Sequence, residues 1–348
     1  MRMSSLLSPT LRPAGPLDEN PCAAAVSSCA RLHASLRLQR ALGAKARIGH
    51  ITPLAHPDWA EAEAALRDGA DIDARILGGG SETILMNSCV RGHLDVVRWL
   101  LAHGADPEAV DARGWTALVC AVWEGRMEIV AALLAHGASP NAQDACGCTP
   151  LMHAARSEQI DIARQLIEAG ADLDVRDQDG WAAVLTAVMA ESFGVAAVLV
   201  ERGADPNTRD EAGVPILARV VAAGDVGLVD KLLERGADPN ALDRDGWAIL
   251  ASVRGNGEEI THLFDLLLER GADPSDVDAE GRSLPAVLAD GDPAACERLD
   301  AVLAKPLHAA RRQRVLERLT PEQGLAWLPK SCVAAAGETR VEGWRRRP

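Results

Sequence analysis

The chain has no tyrosine and only two phenylalanines, so aromatics make up 3% of its 348 residues even with eight tryptophans counted. That excludes a core built around large rings. The 48% of hydrophobic residues must act mainly through Ala, Leu and Val, which suit closely packed helices. No Cys-x-x-Cys pair occurs. The eight cysteines are scattered at 22, 29, 89, 120, 146, 148, 296 and 332, and the close pair Cys146 and Cys148 has no His/Cys partner pair at zinc-site spacing. Such usage fits a reducing compartment. GxSxG, HExxH and a phosphate loop are all missing, and Gly78-Gly79-Gly80-Ser81 lacks the Gly-Lys-Ser/Thr that would reach phosphates. The residues after Pro306 are too few for an ordinary catalytic domain. No catalytic residue, cofactor or metal site is expected.

Long apolar runs are equally scarce. Pro9, Pro13 and Pro16 interrupt the N-terminus, so no Sec-type signal is expected. Gly180 to Val200 carries no charge except Glu191 and is long enough to span a bilayer. However, Glu191 and Ser192 sit where other segments turn between helices, which makes it two short buried helices rather than a membrane insertion. The formal charge of −14 is uneven: residues 1–57 and 307–348 each carry +5, and residues 58–306 carry −24. A body of that sign repels phosphate backbones and argues against nucleic-acid binding. The basic ends read as solvated tails or as contacts for an acidic surface.

What the sequence does have is a period. Gly-Ala-Asp, once Gly-Ala-Ser, begins at Gly69, Gly104, Gly137, Gly170, Gly203, Gly236 and Gly271, in steps of 35, 33, 33, 33, 33 and 35. A stack of like units needs no central core, and it is one elongated body rather than several domains. In residues 144–176, Asp144 and Gly147 are turn residues and Thr149-Pro150 opens a helix. Leu151, Ala154 and Ala155 give that helix its apolar side. Ile160, Ala163, Leu166 and Ile167 follow the one-face spacing of a second helix, which Gly170 ends.

The run Asp-x-x-Gly-x-Thr-Pro-Leu-x-His-Ala-Ala at 144–155, with Leu-Ile-Glu-Ala-Gly-Ala-Asp at 166–172, closely resembles the ankyrin repeat. His153 stands one residue beyond the family's usual helix-start His, which puts its hydrogen bonding in question. The resemblance spans about 55–305 and implies an all-α solenoid of stacked helix–turn–helix units joined by β-turn fingers. It divides the chain into a low-order cationic segment 1–50, a degenerate capping repeat 51–77, and repeats at 78–110, 111–143, 144–176, 177–209, 210–242, 243–277 and 278–306. A basic helix and tail, 307–348, complete it. Within the first segment, residues 24–46 read as a cationic amphipathic helix with Leu32, Leu36 and Leu42 on one face. It is open between a packing cap, a targeting presequence and sequence of little consequence.

Other polar clusters have plain explanations. Asp172, Asp174, Asp177 and Asp179, like Asp243 and Asp245, lack the ligand spacing of a calcium loop and read as turn chemistry. His103 and His136, one repeat apart, read as dipole partners at helix C-termini rather than a shared metal site.

The clearest functional signal is the residue after the turn glycine: Glu82, Trp115, Cys148, Trp181, Val214, Trp247 and Arg282. In ankyrin repeats this place lies on the concave side, and tryptophan fills it in alternate units. The family register puts Trp123, Arg156 and Met189 on the same face, with Arg113 and Arg209 at the loops. Trp, Met and Arg are enriched at protein interfaces. The competing reading is that each Trp packs over a neighbouring turn. The expected function is a monomeric, cytoplasmic, non-enzymatic scaffold binding another protein through the concave face, with Trp115, Trp181 and Trp247 as the strongest contacts. The alternatives are an effector addressed out of the cytosol by residues 1–50, and an enzyme subunit or inhibitor using its basic C-terminus.

Overall fold

The computed structural model describes residues 21–43, 57–76, 81–242, 246, 248–253, 258–275, 284–285, 288 and 293–318. The order is α1 (Pro21–Ala41), α2 (Trp59–Arg67), α3 (Ile84–Arg91), α4 (Leu94–Ala102), α5 (Ala117–Trp123), α6 (Met127–Ala135), α7 (Pro150–Arg156) and α8 (Ile160–Glu168). It continues with α9 (Ala183–Met189), α10 (Phe193–Glu201), α11 (Ile216–Ala223), α12 (Val226–Glu234), α13 (Glu258–Glu269), α14 (Pro293–Leu303) and α15 (Ala309–Arg318). Two 3₁₀ turns, Ile249–Ser252 and Pro306–His308, stand before α13 and α15. No strand occurs among the described residues, though single antiparallel bridges such as Arg209–Pro215 close some fingers.

Each unit is a short helix, a turn and an antiparallel partner helix. Packing runs in two rows: α3, α5, α7, α9, α11 and the turn Ile249–Ser252 lie side by side on the inner row. α4, α6, α8, α10, α12 and α13 form the outer row. The reason is visible in the burial. Leu85, Leu118, Leu151, Val184, Leu217 and Leu250 make one buried column of inner-helix residues, and Leu100, Leu133, Leu166, Leu199 and Leu232 make another down the outer helices. A helix this short cannot persist alone. Burying one such side chain contributes about 1.5–3 kcal/mol, and each unit obtains it only from its neighbours. The 243–277 unit departs from the pattern, its inner helix reduced to the 3₁₀ turn Ile249–Ser252 with no side-chain cap from Ala248.

Starts and stops follow local chemistry. Thr83, Thr116 and Thr149 accept hydrogen bonds from the backbone N–H three residues on, capping α3, α5 and α7. In α3 and α7 the thioethers of Met86 and Met152 accept in turn from the threonine N–H. α9 begins at Ala182 without any side-chain cap.

The fingers are held by aspartate. Asp111 Oδ1 accepts from the N–H of Arg113 at 2.8 Å and of Trp115 at 2.9 Å, and Asp144 and Asp177 repeat the arrangement. Asp172 likewise accepts from Asp174 N–H, so these acidic loops are spent on turns. Consecutive fingers are bonded as well: Ala145 N–H donates to Arg113 O at 2.9 Å, and Gln178 N–H to Cys146 O at 3.1 Å. Asn141, Asn207 and Asn240 each bridge to the next Gly-Ala-Asp step, the amide donating to the glycine carbonyl and its oxygen accepting from the aspartate N–H.

At the N-terminal end α1 packs against α2 as a cap. Arg37 pairs with Glu61 and Asp68 at 2.7 Å each, and Ser35 Oγ accepts from Asp71 N–H. The buried face differs from the leucine spacing: Ala34, Ser35, Leu38, Gln39, Ala41 and Leu42 turn inward while Leu32 is exposed. Small residues win these positions because α2 approaches closely, and Ser35 and Gln39 find polar partners there. The first outer helices are joined by a tilted ring pair, Trp59 of α2 with Trp99 of α4 at 5.8 Å, and His103 at the end of α4 stacks on Trp99 at 4.0 Å. Further along, the outer row is joined by charge: Glu168 with Arg202, Glu201 with Lys231, Asp230 and Glu234 with Arg270, and Asp265 with Lys305. α15 continues the body through Arg312–Asp300 at 3.2 Å and Arg314–Asp273 at 3.3 Å. The expected low-order residues 1–20 and the tail from 319 lie outside the described residues.

Candidate partner-binding face

The inner helices are seven or eight residues long, so their first and last side chains stand close together on one flank. On α5 these are Trp115, two residues ahead of the helix, and Trp123 at its end. Their rings meet at 5.3 Å, tilted by 48°. His153 of the adjacent α7 fits between them edge-on, 5.4 Å from Trp115 and 5.8 Å from Trp123. The guanidinium of Arg113 covers Trp115, its central carbon 3.7 Å from the ring centroid, and pairs with Asp111 at 2.9 Å. Such a cation over indole adds attraction beyond contact area.

His153 is one residue out of the family's place, yet it has a partner. Its Nε2–H donates to Asp144 Oδ2 at 2.9 Å while Nδ1 is buried with no partner. Burial pushes its pKa below the ordinary imidazole value, and the Asp144 hydrogen bond opposes that shift. A nine-residue spacing carried this signal in the sequence, because Arg219 reaches Asp210 across the same interval, Nε to Oδ2 at 2.9 Å.

The expected contact residues separate into two groups. Trp123 and Met189 are 45% and 40% exposed, and Arg156 is exposed beside them. Trp115 and Trp181 are half-buried against the core, and Trp181 Nε1–H is already donated to Glu211 at 2.9 Å on the next finger. Arg209 donates to the carbonyls of Gly213 and Leu242 at 2.7 and 2.6 Å, clamping two fingers. Trp247 and Arg282 lie outside the described residues. The packing reading therefore describes part of what Trp115 and Trp181 do.

His103 and His136 each place Nδ1 against a carbonyl of their own helix, Trp99 O at 2.8 Å and Ala132 O at 2.9 Å. Among the described residues no group of three or more His, Cys, Asp or Glu could hold a metal ion. None of the described helices is long and apolar enough to cross a membrane. Cys89 and Cys120 are buried, and burial raises the Cys89 thiol well above its usual range, which makes it inert.

Comparison with known proteins agrees with this geometry. The family described as ankyrin repeats (3 copies) matches residues 62–144 and 136–210. Among solved structures, the ankyrin repeat domain of Bcl-3, titled a unique member of the IkappaB protein family, is similar at 28% identity and a TM-score of 0.54. The alignment covers 64% of this chain and 97% of that one. A search of curated proteins found no match. The chain carries ankyrin repeats, stacked into an all-α solenoid that is a protein–protein interaction module.

Proposed function

We propose that the chain is a non-enzymatic scaffold, monomeric and cytoplasmic, that holds a partner protein against the flank formed by its inner helices and fingers. The observation that carries this reading is Trp123, left 45% exposed at the end of α5 on the same flank as exposed Met189. Exposed indole is unfavourable unless something covers it. Trp and Arg are among the residue types that dominate binding energy at protein interfaces, and Met is enriched there. Scattered cysteines without the paired spacing of a disulfide framework support a reducing compartment.

The test captures partners with the full chain, then repeats the capture with Trp123→Ala plus Met189→Ala and, separately, with Arg98→Ala on the outer row. The inner pair should abolish capture while circular dichroism and unfolding midpoint are retained, and Arg98→Ala should leave it unchanged. Capture that survives the inner pair but is lost with Arg98→Ala would place binding on the other flank.

A further inference from the structure

Trp123, Arg156 and Met189 close α5, α7 and α9, three helices of seven residues each, and occupy the same place in successive units. Because these helices pack side by side, the three form a row across the stack: apolar, cationic, apolar. Its middle member is the distinctive one. Arg113 is committed to Asp111, Arg219 to Asp210, and Arg209 to finger carbonyls. Arg156 has no hydrogen bond or ion pair among the described residues. Its side chain is exposed at the end of α7.

A guanidinium fork between two exposed apolar side chains is complementary to a carboxylate between two apolar side chains. Spacing decides how those groups must be carried. Helices packed side by side are roughly 8–10 Å apart, and an extended chain in the polyproline II conformation advances about 3.1 Å per residue with about three residues per turn. Residues three apart on such a segment share one face and therefore fall over successive members of the row. The net charge of −24 on residues 58–306 disfavours a strongly acidic partner, so one acid in an otherwise neutral or basic segment fits best.

We infer that this row takes an extended peptide segment bearing a single Asp or Glu with an apolar side chain three residues to either side, the carboxylate meeting Arg156 and the apolar groups meeting Trp123 and Met189. This rests on the concave-face reading above and narrows it to one chemistry. Met189, unbranched and adaptable, accepts several apolar shapes, whereas Trp123 favours a flat or branched one.

The experiment selects random short peptides on the immobilised full chain and measures the enriched peptides by fluorescence anisotropy. The enriched set should share the apolar–x–x–acid–x–x–apolar pattern. Arg156→Glu should weaken their binding by about tenfold or more, with Arg156→Lys intermediate. A second selection on Arg156→Glu should return Lys or Arg in place of the acid. Both variants change an exposed side chain, and circular dichroism confirms the fold. Enrichment of peptides lacking the acid, no enrichment, or affinities indifferent to Arg156→Glu would each overturn the inference. If such peptides still lost affinity on Trp123→Ala, the concave-face reading would stand without it. Indifference to every member of the row would remove both.

Discussion

The imidazole of His153 and the carboxylate of Asp144 meet at 2.9 Å with 4% of each side chain exposed, which ties the first turn of α7 to the base of its own finger. Burial holds His153 below its ordinary value of 6.5. Between that depressed value and 6.5 the unfolded chain therefore binds more protons than the folded one. Stability from this group is complete above about 6.5 and is lost as pH falls through the folded value. Urea midpoints at about pH 7.5 and about pH 5 should fall on acidification, and the fall should be smaller in His153→Gln. His93, which burial also lowers, titrates in both chains and cancels in the comparison. An equal fall in both would show that His153 is not the group responsible.

Trp115 and Trp123 touch yet should behave differently. Trp115 is packed against the core, under Arg113 and beside His153, so Trp115→Ala should cost about 2–4 kcal/mol of stability. Trp123→Ala removes a half-exposed ring and should cost less stability than Trp115→Ala, about 1 kcal/mol, while losing about 2 kcal/mol of partner affinity. Thermal unfolding and binding titrations on the same two variants separate these effects. The reverse order would mean Trp123 is structural and Trp115 the contact.

Gly114 combines two constraints. Its φ is +75°, and a Cβ there would sit 2.7 Å from the backbone nitrogen of Ala145 on the next finger. Gly137 has φ +85° but open space around it. Both alanine variants should carry the left-handed penalty of about 1–2 kcal/mol. Gly114→Ala should cost more, because the Ala145–Arg113 hydrogen bond must also yield. Chemical denaturation of the pair tests this, and equal costs would show that finger-to-finger contact adds nothing.

How much of this was legible in the sequence varied with the kind of interaction. The two buried leucine columns and the turn glycines recur every 33 residues, since each is forced by a packing or backbone need that every unit shares. The direction of exposed side chains is not forced in that way. Trp181 could lie open or donate to Glu211, and Arg209 could reach a partner or clamp Gly213 and Leu242. Such choices differ by little energy and depend on what the next finger offers, which a pattern within one unit does not encode. His153 was visible in the sequence, but its bond to Asp144 emerges only beside the Arg219–Asp210 pair. In α1 the leucine spacing misdirected, because close approach of α2 favoured Ala34 and Ser35 over Leu32.

Asn141, Asn207 and Asn240 bridge forward to the next Gly-Ala-Asp step, but the equivalent place between them holds Asp174. Aspartate cannot donate to Gly203 O as those amides donate to Gly170, Gly236 and Gly271. Asp174→Asn should supply the missing bond and raise stability by about 0.5–1.5 kcal/mol. Asn141→Asp should lower it by a similar amount. Denaturant midpoints are the readout, and a neutral result in both directions would dismiss the bridge as a stabilising element.

The outer row has two kinds of backing. Between α2 and α4 it is joined by the contact of Trp59 with Trp99, which added salt hardly affects. From α8 onward it relies on part-exposed ion pairs, each weak alone and screened as ionic strength rises. Added salt should therefore weaken the outer row from α8 onward by screening pairs such as Glu168–Arg202 and Glu201–Lys231.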